Sequence, residues 1–351
     1  MLAAVTAIVV ALALTTGAVV GLRGGAVSAA AWKARIGGAV DAAPAVADGR
    51  VYVASEDHFL YALDAATGRR LWKVNVGARN DSSPAVADGM VFIGSWQDGE
   101  VYALDAATGK QRWAFPTGSS VDSSPVVADG TVYIGSDNGR LYALSAATGQ
   151  LAWKKSVGGE INARPGVAAG NVYVGSHNGL LYSLNATTGS VNWSARTGGP
   201  ISQSGPAIAD GLVLVGSEDG KIHAFDAFSG ARKWVATTHR AVDSSPVVAG
   251  GIAYVGSDDY QLYALDARSG RVDWAHDTGG FVEGQPAVVN GMVYFGSDDG
   301  SLYALSADSG SRRWAVHTGG DVDASPVVAD GTVYAGSDDG NVYAVNATTG
   351  S

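Results

Sequence analysis

The chain reads as all-β: an eight-bladed β-propeller of four-stranded antiparallel blades. Three observations predict this. A Gly followed four residues later by a Trp recurs at steps of 40 or 41 residues, from Gly68/Trp72 to Gly310/Trp314. Each period contains four short apolar runs separated by turn-forming residues, which is the pattern of a propeller blade. The two ends are complementary fragments: Trp32 has no Gly before it, and Gly350 has no Trp after it.

Within one period every element is a strand. Pro125-Val126-Val127-Ala128 is a short apolar strand, ended by Asp129-Gly130. Thr131–Ser136 is rich in β-branched and aromatic residues and reads as a second strand. Asp137-Asn138-Gly139 is a turn, because Asn and Gly tolerate positive φ. Leu141–Leu144 is a third strand, Ala146–Gly149 a further turn, and Leu151–Lys154 a fourth strand. Prolines keep the same beat at Pro44, Pro84, Pro125, Pro165, Pro206, Pro246, Pro286 and Pro326. The last period lacks its outer strand, and residues 30–37, carrying Trp32, are expected to supply it. A ring closed this way has no free sheet edge to aggregate.

Composition agrees. There are 49 glycines in 351 residues, and each would cost ~1 kcal/mol in a helix relative to Ala. Lys and Arg number 23 against 33 Asp and Glu, a net charge of −10. That argues against a nucleic-acid partner, whose binding needs cations on phosphates. The absence of Cys excludes disulfides, thiolate metal sites and a cysteine nucleophile.

The first segment differs from the rest. Leu2 to Leu22 carries no charge and is long enough to span a bilayer. Val27-Ser28-Ala29 fits the small-x-small site of a secretory signal. Two domains are therefore expected: residues 1–29 as a signal peptide or membrane anchor, and 30–351 as the propeller. Both readings of the first segment place the propeller outside the cytoplasm, with a possible tether through residues 2–22.

The string Ala-Leu-Asp-Ala-Ala-Thr-Gly-x-x-x-Trp, at Ala62–Trp72 and Ala103–Trp113, resembles the pyrroloquinoline quinone (PQQ) repeat of the quinoprotein alcohol dehydrogenase-like propellers. The resemblance covers residues 30–351. It implies that Trp32, Trp72, Trp113, Trp153, Trp193, Trp234, Trp274 and Trp314 are docking residues between blades, and a large aromatic at one fixed place per repeat agrees with inter-blade packing. The family includes PQQ-dependent dehydrogenases, a non-catalytic lipoprotein of the outer-membrane barrel assembly machinery, and propellers similar to the extracellular sensor domains of membrane-anchored kinases. Fold alone does not choose among them.

Candidate binding residues lie three positions before each repeat proline, at the mouth of the channel. They are Asp41, Asp81, Asp122, Asn162, Gln203, Asp243, Glu283 and Asp323, with Ser202 as the alternative in blade 5. An acidic ring suits a cation, or a cationic or polyhydroxyl ligand. At ~8 Å, neighbouring charges repel by about 2 kcal/mol at an effective dielectric of 20, and by about 0.5 in water. A dry mouth therefore needs a counter-ion or raised pKa values. The alternative is that each Asp caps its own turn. A second group departs from the repeat: Trp96 in a lengthened turn of blade 2, His58 and Phe59 in blade 1, and Arg79 and Asn80 in the loop between them. Loops are favoured places for recognition, and Trp and Arg are favoured anchors. A binding patch beside the mouth is expected there.

By resemblance, the dehydrogenases hold PQQ beside Ca²⁺, and Asn162, Asp243 or Glu283 resemble oxygen ligands for such an ion. The chain has minimal loops and no Cys, so catalysis and a cofactor are not expected; PQQ with Ca²⁺ is the enzyme alternative. The six His show no ligand spacing, and no metal site is expected. Asn185-Ala186-Thr187 and Asn346-Ala347-Thr348 match a glycosylation pattern, but they occupy a turn where other blades have Asp. The expected function is a non-catalytic, extracytoplasmic, monomeric scaffold for a protein partner or a small polar ligand. A sensor domain is the further alternative.

Overall fold

A computed structural model of the protein describes residues 31–78 and 82–351. Among the described residues there are 32 strands, β1 to β32 in chain order, and no helix. They form eight four-stranded antiparallel sheets arranged as a propeller. Blade 1 is β2 (Ala45–Ala47), β3 (Arg50–Ser55), β4 (His58–Asp64) and β5 (Arg70–Ala78), from axis to rim. The other blades repeat this order, and their innermost strands neighbour one another around the axis. The uncharged run 2–22 and the Val27-Ser28-Ala29 site lie outside the described residues.

The turns explain the regularity. Asp129 and Gly130 both have positive φ, 48° and 71°. That is the two-residue hairpin geometry whose twist matches the flanking strands. The same pair of angles recurs at this place in every blade, from Asp48-Gly49 to Asp330-Gly331.

Each blade is held to the next through its Trp. The indole N–H of Trp153 donates to the Ala186 carbonyl at 2.9 Å, and Trp32 donates to Ala65 at 2.9 Å. The ring lies on the Gly of the next blade's outer turn: a Cβ on Gly189 would come within 2.6 Å of Trp153. Glycine is required there both for its φ of 69° and for this close approach. In six blades a tyrosine hydroxyl from the second strand meets the same carbonyl as the Trp, as Tyr133 does on Ala186.

The ring closes as the complementary ends require. Strand β1 (Trp32–Arg35) pairs antiparallel with β32 (Asn341–Asn346), placing Trp32 opposite Ala344 and Arg35 opposite Asn341. Lys33 adds a 3.1 Å ion pair to Asp339 and donates to the Tyr343 hydroxyl at 2.7 Å. Ala78 belongs to a nine-residue outer strand, because β5 runs on to pair Ala78 with His58.

Candidate functional site

The channel along the axis has a volume of about 870 Å³. Its wall is built by the segments around the repeat prolines. Asp41, Asp122, Asn162, Gln203, Asp243, Glu283 and Asp323 all line it; Asp81 lies outside the described residues. Ser202 and Gln203 both reach the channel. Ile201 packs on Gly175 as Val121 packs on Gly94, and Ser204 bonds to the next blade as Ser123 does. The extra residue of blade 5 therefore falls between these anchors, leaving Ser202 hydrogen-bonded to Glu218 and Gln203 exposed.

Serines position this layer. Between the ring residue and the proline, Ser123 accepts the Gly135 N–H at 3.1 Å and donates to the Ala163 carbonyl of the next blade at 3.0 Å. Ser82, Ser204 and Ser244 make the same inter-blade bond. In these four blades the backbone beside the ring residue is thus tied to the neighbouring blade.

A second layer of acids meets the first, and sequence reasoning missed it. The residue after the serine that ends the second strand is Glu56, Trp96, Asp137, His177, Glu218, Asp258, Asp298 and Asp338 in successive blades. Its N–H is tied to the incoming loop, as in Asp258 N–H to the Ala241 carbonyl at 3.1 Å. That brings each acid against the ring. Asp338 faces Asp41, and Asp298 faces Asp323, carboxyl against carboxyl. Trp96, 41% exposed, stands where most blades place an acid. Aligning the residue after each blade's Ser would have revealed this column.

Crowding and partial burial raise the carboxyl pKa values. Burial, then the facing carboxyls of Asp338 and Asp298, push Asp41 and Asp323 respectively far above the carboxylate range. Burial and then Asp323 push Glu283 up to about 7. Burial and then Asp243 push Asp258 up to about 6. Asp243 is also raised, chiefly by burial. The turn-capping alternative does not describe Asp41 or Asp323, whose buried Oδ1 atoms have no hydrogen-bond partner among the described residues.

The second predicted group is dispersed. His58 has a φ of 73°, the place of a turn glycine in most blades. It pairs with Ala78 at the end of β5, and the neighbouring Gly77 carbonyl accepts the Gln97 N–H at 3.1 Å. The turns carrying His58 and Trp96 therefore meet at one strand end. Phe59 instead packs in the core between blades 8 and 1, with the Lys73 ammonium 4.0 Å from its ring centre. Arg79 and Asn80 lie outside the described residues. Asn185 and Asn346 cap their turns, each accepting two backbone N–H groups.

A Ca²⁺ held beside PQQ needs donors converging on one point. Among the described residues no group of three His, Asp or Glu side chains is placed to hold a metal ion.

The comparisons with known proteins agree with this architecture. The family described as the β-propeller of the β-alanine-activating enzyme matches residues 36–251, and the outer membrane protein assembly factor BamB family matches residues 218–351. No curated protein matches the chain. The solved structure of BamB from Moraxella catarrhalis is similar, with a TM-score of 0.76 and 20% identity, over 89% of this chain and 98% of that one. The computationally designed Ika8 protein is similar at 0.78 and 19%, over 89% and 98%. Quinohemoprotein alcohol dehydrogenase ADHIIG from Pseudomonas putida HK5 is similar at 0.72 and 18%, over 87% and 71%. At these identities the likeness is one of fold. The chain is a PQQ-repeat propeller resembling BamB, and it belongs to the family described as the β-propeller of the β-alanine-activating enzyme.

Proposed function

We propose that this protein is a non-catalytic, extracytoplasmic binding scaffold whose recognition face is the acidic mouth, and that its partner presents positive charge there. The observation that carries the reading is the double layer of carboxyls at one end of the channel. Asp41, Asp243, Glu283 and Asp323 from one layer and Asp258 and Asp298 from the other hold raised pKa values, and Asp338 of the second layer faces Asp41. A cation would relieve that repulsion on binding. Trp96 beside the mouth supplies an aromatic anchor of the kind favoured at interfaces. The rigid ring of blades suits assembly work, and the likeness to an assembly factor supports a scaffold role. The extracytoplasmic part rests on the uncharged run and the Val27-Ser28-Ala29 site.

The test is in-cell cross-linking from the mouth, with partner identification, for the wild type and for Asp258→Asn/Asp338→Asn. The expected result is a basic partner whose yield falls in the variant and with added salt. Equal yields, with the fold intact, would remove the mouth as the recognition face. Sequencing the mature N-terminus of the exported protein checks location, with a start near Ala30 expected.

A further inference from the structure

Two residues of the channel wall break the repeat, Gln285 in blade 7 and Arg164 in blade 4, and Arg164 has the opposite charge to the ring. At the position before the repeat proline, most blades carry a small residue: Ala43, Ser83, Ser124, Gly205, Ser245 and Ser325. There the hydroxyls form a belt. Ser83 accepts the Ala43 N–H at 2.9 Å, Ser124 accepts that of Ser83 at 2.9 Å, and Ser245 accepts that of Gly205 at 2.8 Å. Blade 4 has Arg164 instead, and it lines the channel. The belt is interrupted there, since Arg164 offers no hydroxyl to Ser124, and Gly205 offers none to Arg164.

Arg164 has been accommodated rather than tolerated. Its neighbour across the blade boundary is Gly205, and a Cβ there would come within 3.0 Å of the Arg164 carbonyl oxygen and 3.5 Å of its Cβ. The residue is half-buried in the channel wall, and burial presses its pKa down to about 10, so it stays charged at neutral pH. No salt bridge or hydrogen bond joins its guanidinium to an acid among the described residues. Arg164 lines the same channel as the ring carboxyls, two residues after Asn162, the ring position of its own blade. A guanidinium at the channel wall with no acid paired to it is placed to receive an anionic group from the channel.

We propose that the channel binds a molecule carrying an ammonium and a carboxylate, the ammonium at the acidic mouth and the carboxylate on Arg164. The idea rests on the mouth being a cation-binding face, and adds a second point of attachment. Arginine is suited to it, because its fork binds a carboxylate through two parallel hydrogen bonds. A free amino acid with well-separated charges and a peptide chain end next to a lysine present the same chemistry.

The test is calorimetric titration of the full chain with 6-aminohexanoate, hexylamine and hexanoate. The expected order is 6-aminohexanoate tightest, hexylamine weaker, hexanoate not bound. Arg164→Gln is expected to erase the preference for 6-aminohexanoate over hexylamine, about 10-fold or more for a lost charge-assisted pair, while Arg164→Lys restores part of it. Near-ultraviolet circular dichroism of each variant confirms the fold. Equal binding of 6-aminohexanoate and hexylamine, or a preference that survives in Arg164→Gln, would overturn the role of Arg164 and leave the acidic mouth standing. No binding of either amine would overturn both. A short peptide ending in lysine, with its carboxyl free or amidated, separates the sources. Preference for the free form, lost in Arg164→Gln, identifies a chain end; no peptide binding alongside 6-aminohexanoate binding identifies a free amino acid.

Discussion

The carbonyl that receives each docking tryptophan shows how small differences between repeats become energetic ones. In blade 3, Ala186 of the next blade accepts from both Trp153 and the Tyr133 hydroxyl. In blade 2 the second-strand residue is Phe92, so Ala146 accepts from Trp113 alone. Trp113→Phe therefore leaves that carbonyl without a donor, whereas Trp153→Phe does not. A buried polar group left unpaired costs about 1–3 kcal/mol. Trp113→Phe is expected to be the more destabilising by about 1 kcal/mol, read from urea midpoints; equal midpoints would show that the carbonyl finds water instead. His223 is a second case. It occupies the place of a tyrosine, stacks on Phe225 with ring centres 6.0 Å apart, and contacts Asp219 at 3.2 Å. Burial lowers its pKa despite Asp219. The folded state then binds fewer protons here than the unfolded one, so this contribution is present above the ordinary histidine value and is lost as pH falls below it. His223→Tyr is expected to lessen the loss of stability on acidification, measured by thermal melts across that range.

At the scale of the element, β1 decides whether the ring is closed. It is four residues long, yet it completes the sheet of blade 8 and docks Trp32 on blade 1. Without it β32 becomes an open edge, and the contact of Trp32 with Ala65 and Gly68 is lost. Truncating a buried Trp typically costs about 3–5 kcal/mol, and a bare edge invites pairing with other chains. Deletion of residues 30–37 is expected to lower the melting temperature strongly or to cause aggregation in light scattering. Unchanged melting and a monomeric profile would mean that closure contributes nothing.

Over the whole molecule, the mouth couples stability to pH and to binding. Asp41, Glu283, Asp258 and Asp323 have raised pKa values. In the pH window between their ordinary and raised values, the folded state binds more protons than the unfolded one. Their contribution is therefore fully present below the ordinary carboxyl values and is lost as pH rises through about 6 to about 8. The melting temperature is expected to fall across that window. Asp323→Asn, which mimics the protonated carboxyl, is expected to flatten the fall. A ligand bearing an ammonium is expected to offset it, because whatever binds only the folded state stabilises it. A melting temperature that rises from mildly acidic to mildly basic pH would contradict the crowding described for the mouth.

Local information in one repeat was enough for the strands, the turns and the ring. Asp129-Gly130 prescribes a hairpin from two residues, the Gly149/Trp153 spacing marks a docking contact, and the complementary ends at Trp32 and Gly350 require closure. The inner acidic layer was legible too, because every blade places it at the same offset from a proline. What only the tertiary structure decided is which turn meets which loop. Asp298 and Asp338 read as ordinary surface turns along the chain, and they become mouth acids because the propeller swings each turn against the incoming loop of the next blade. Arg164 becomes the cation of the channel because the inner segments of the blades together form its wall. Offsets within a repeat are fixed by the backbone, whereas contacts between blades depend on a radial arrangement that no single repeat contains.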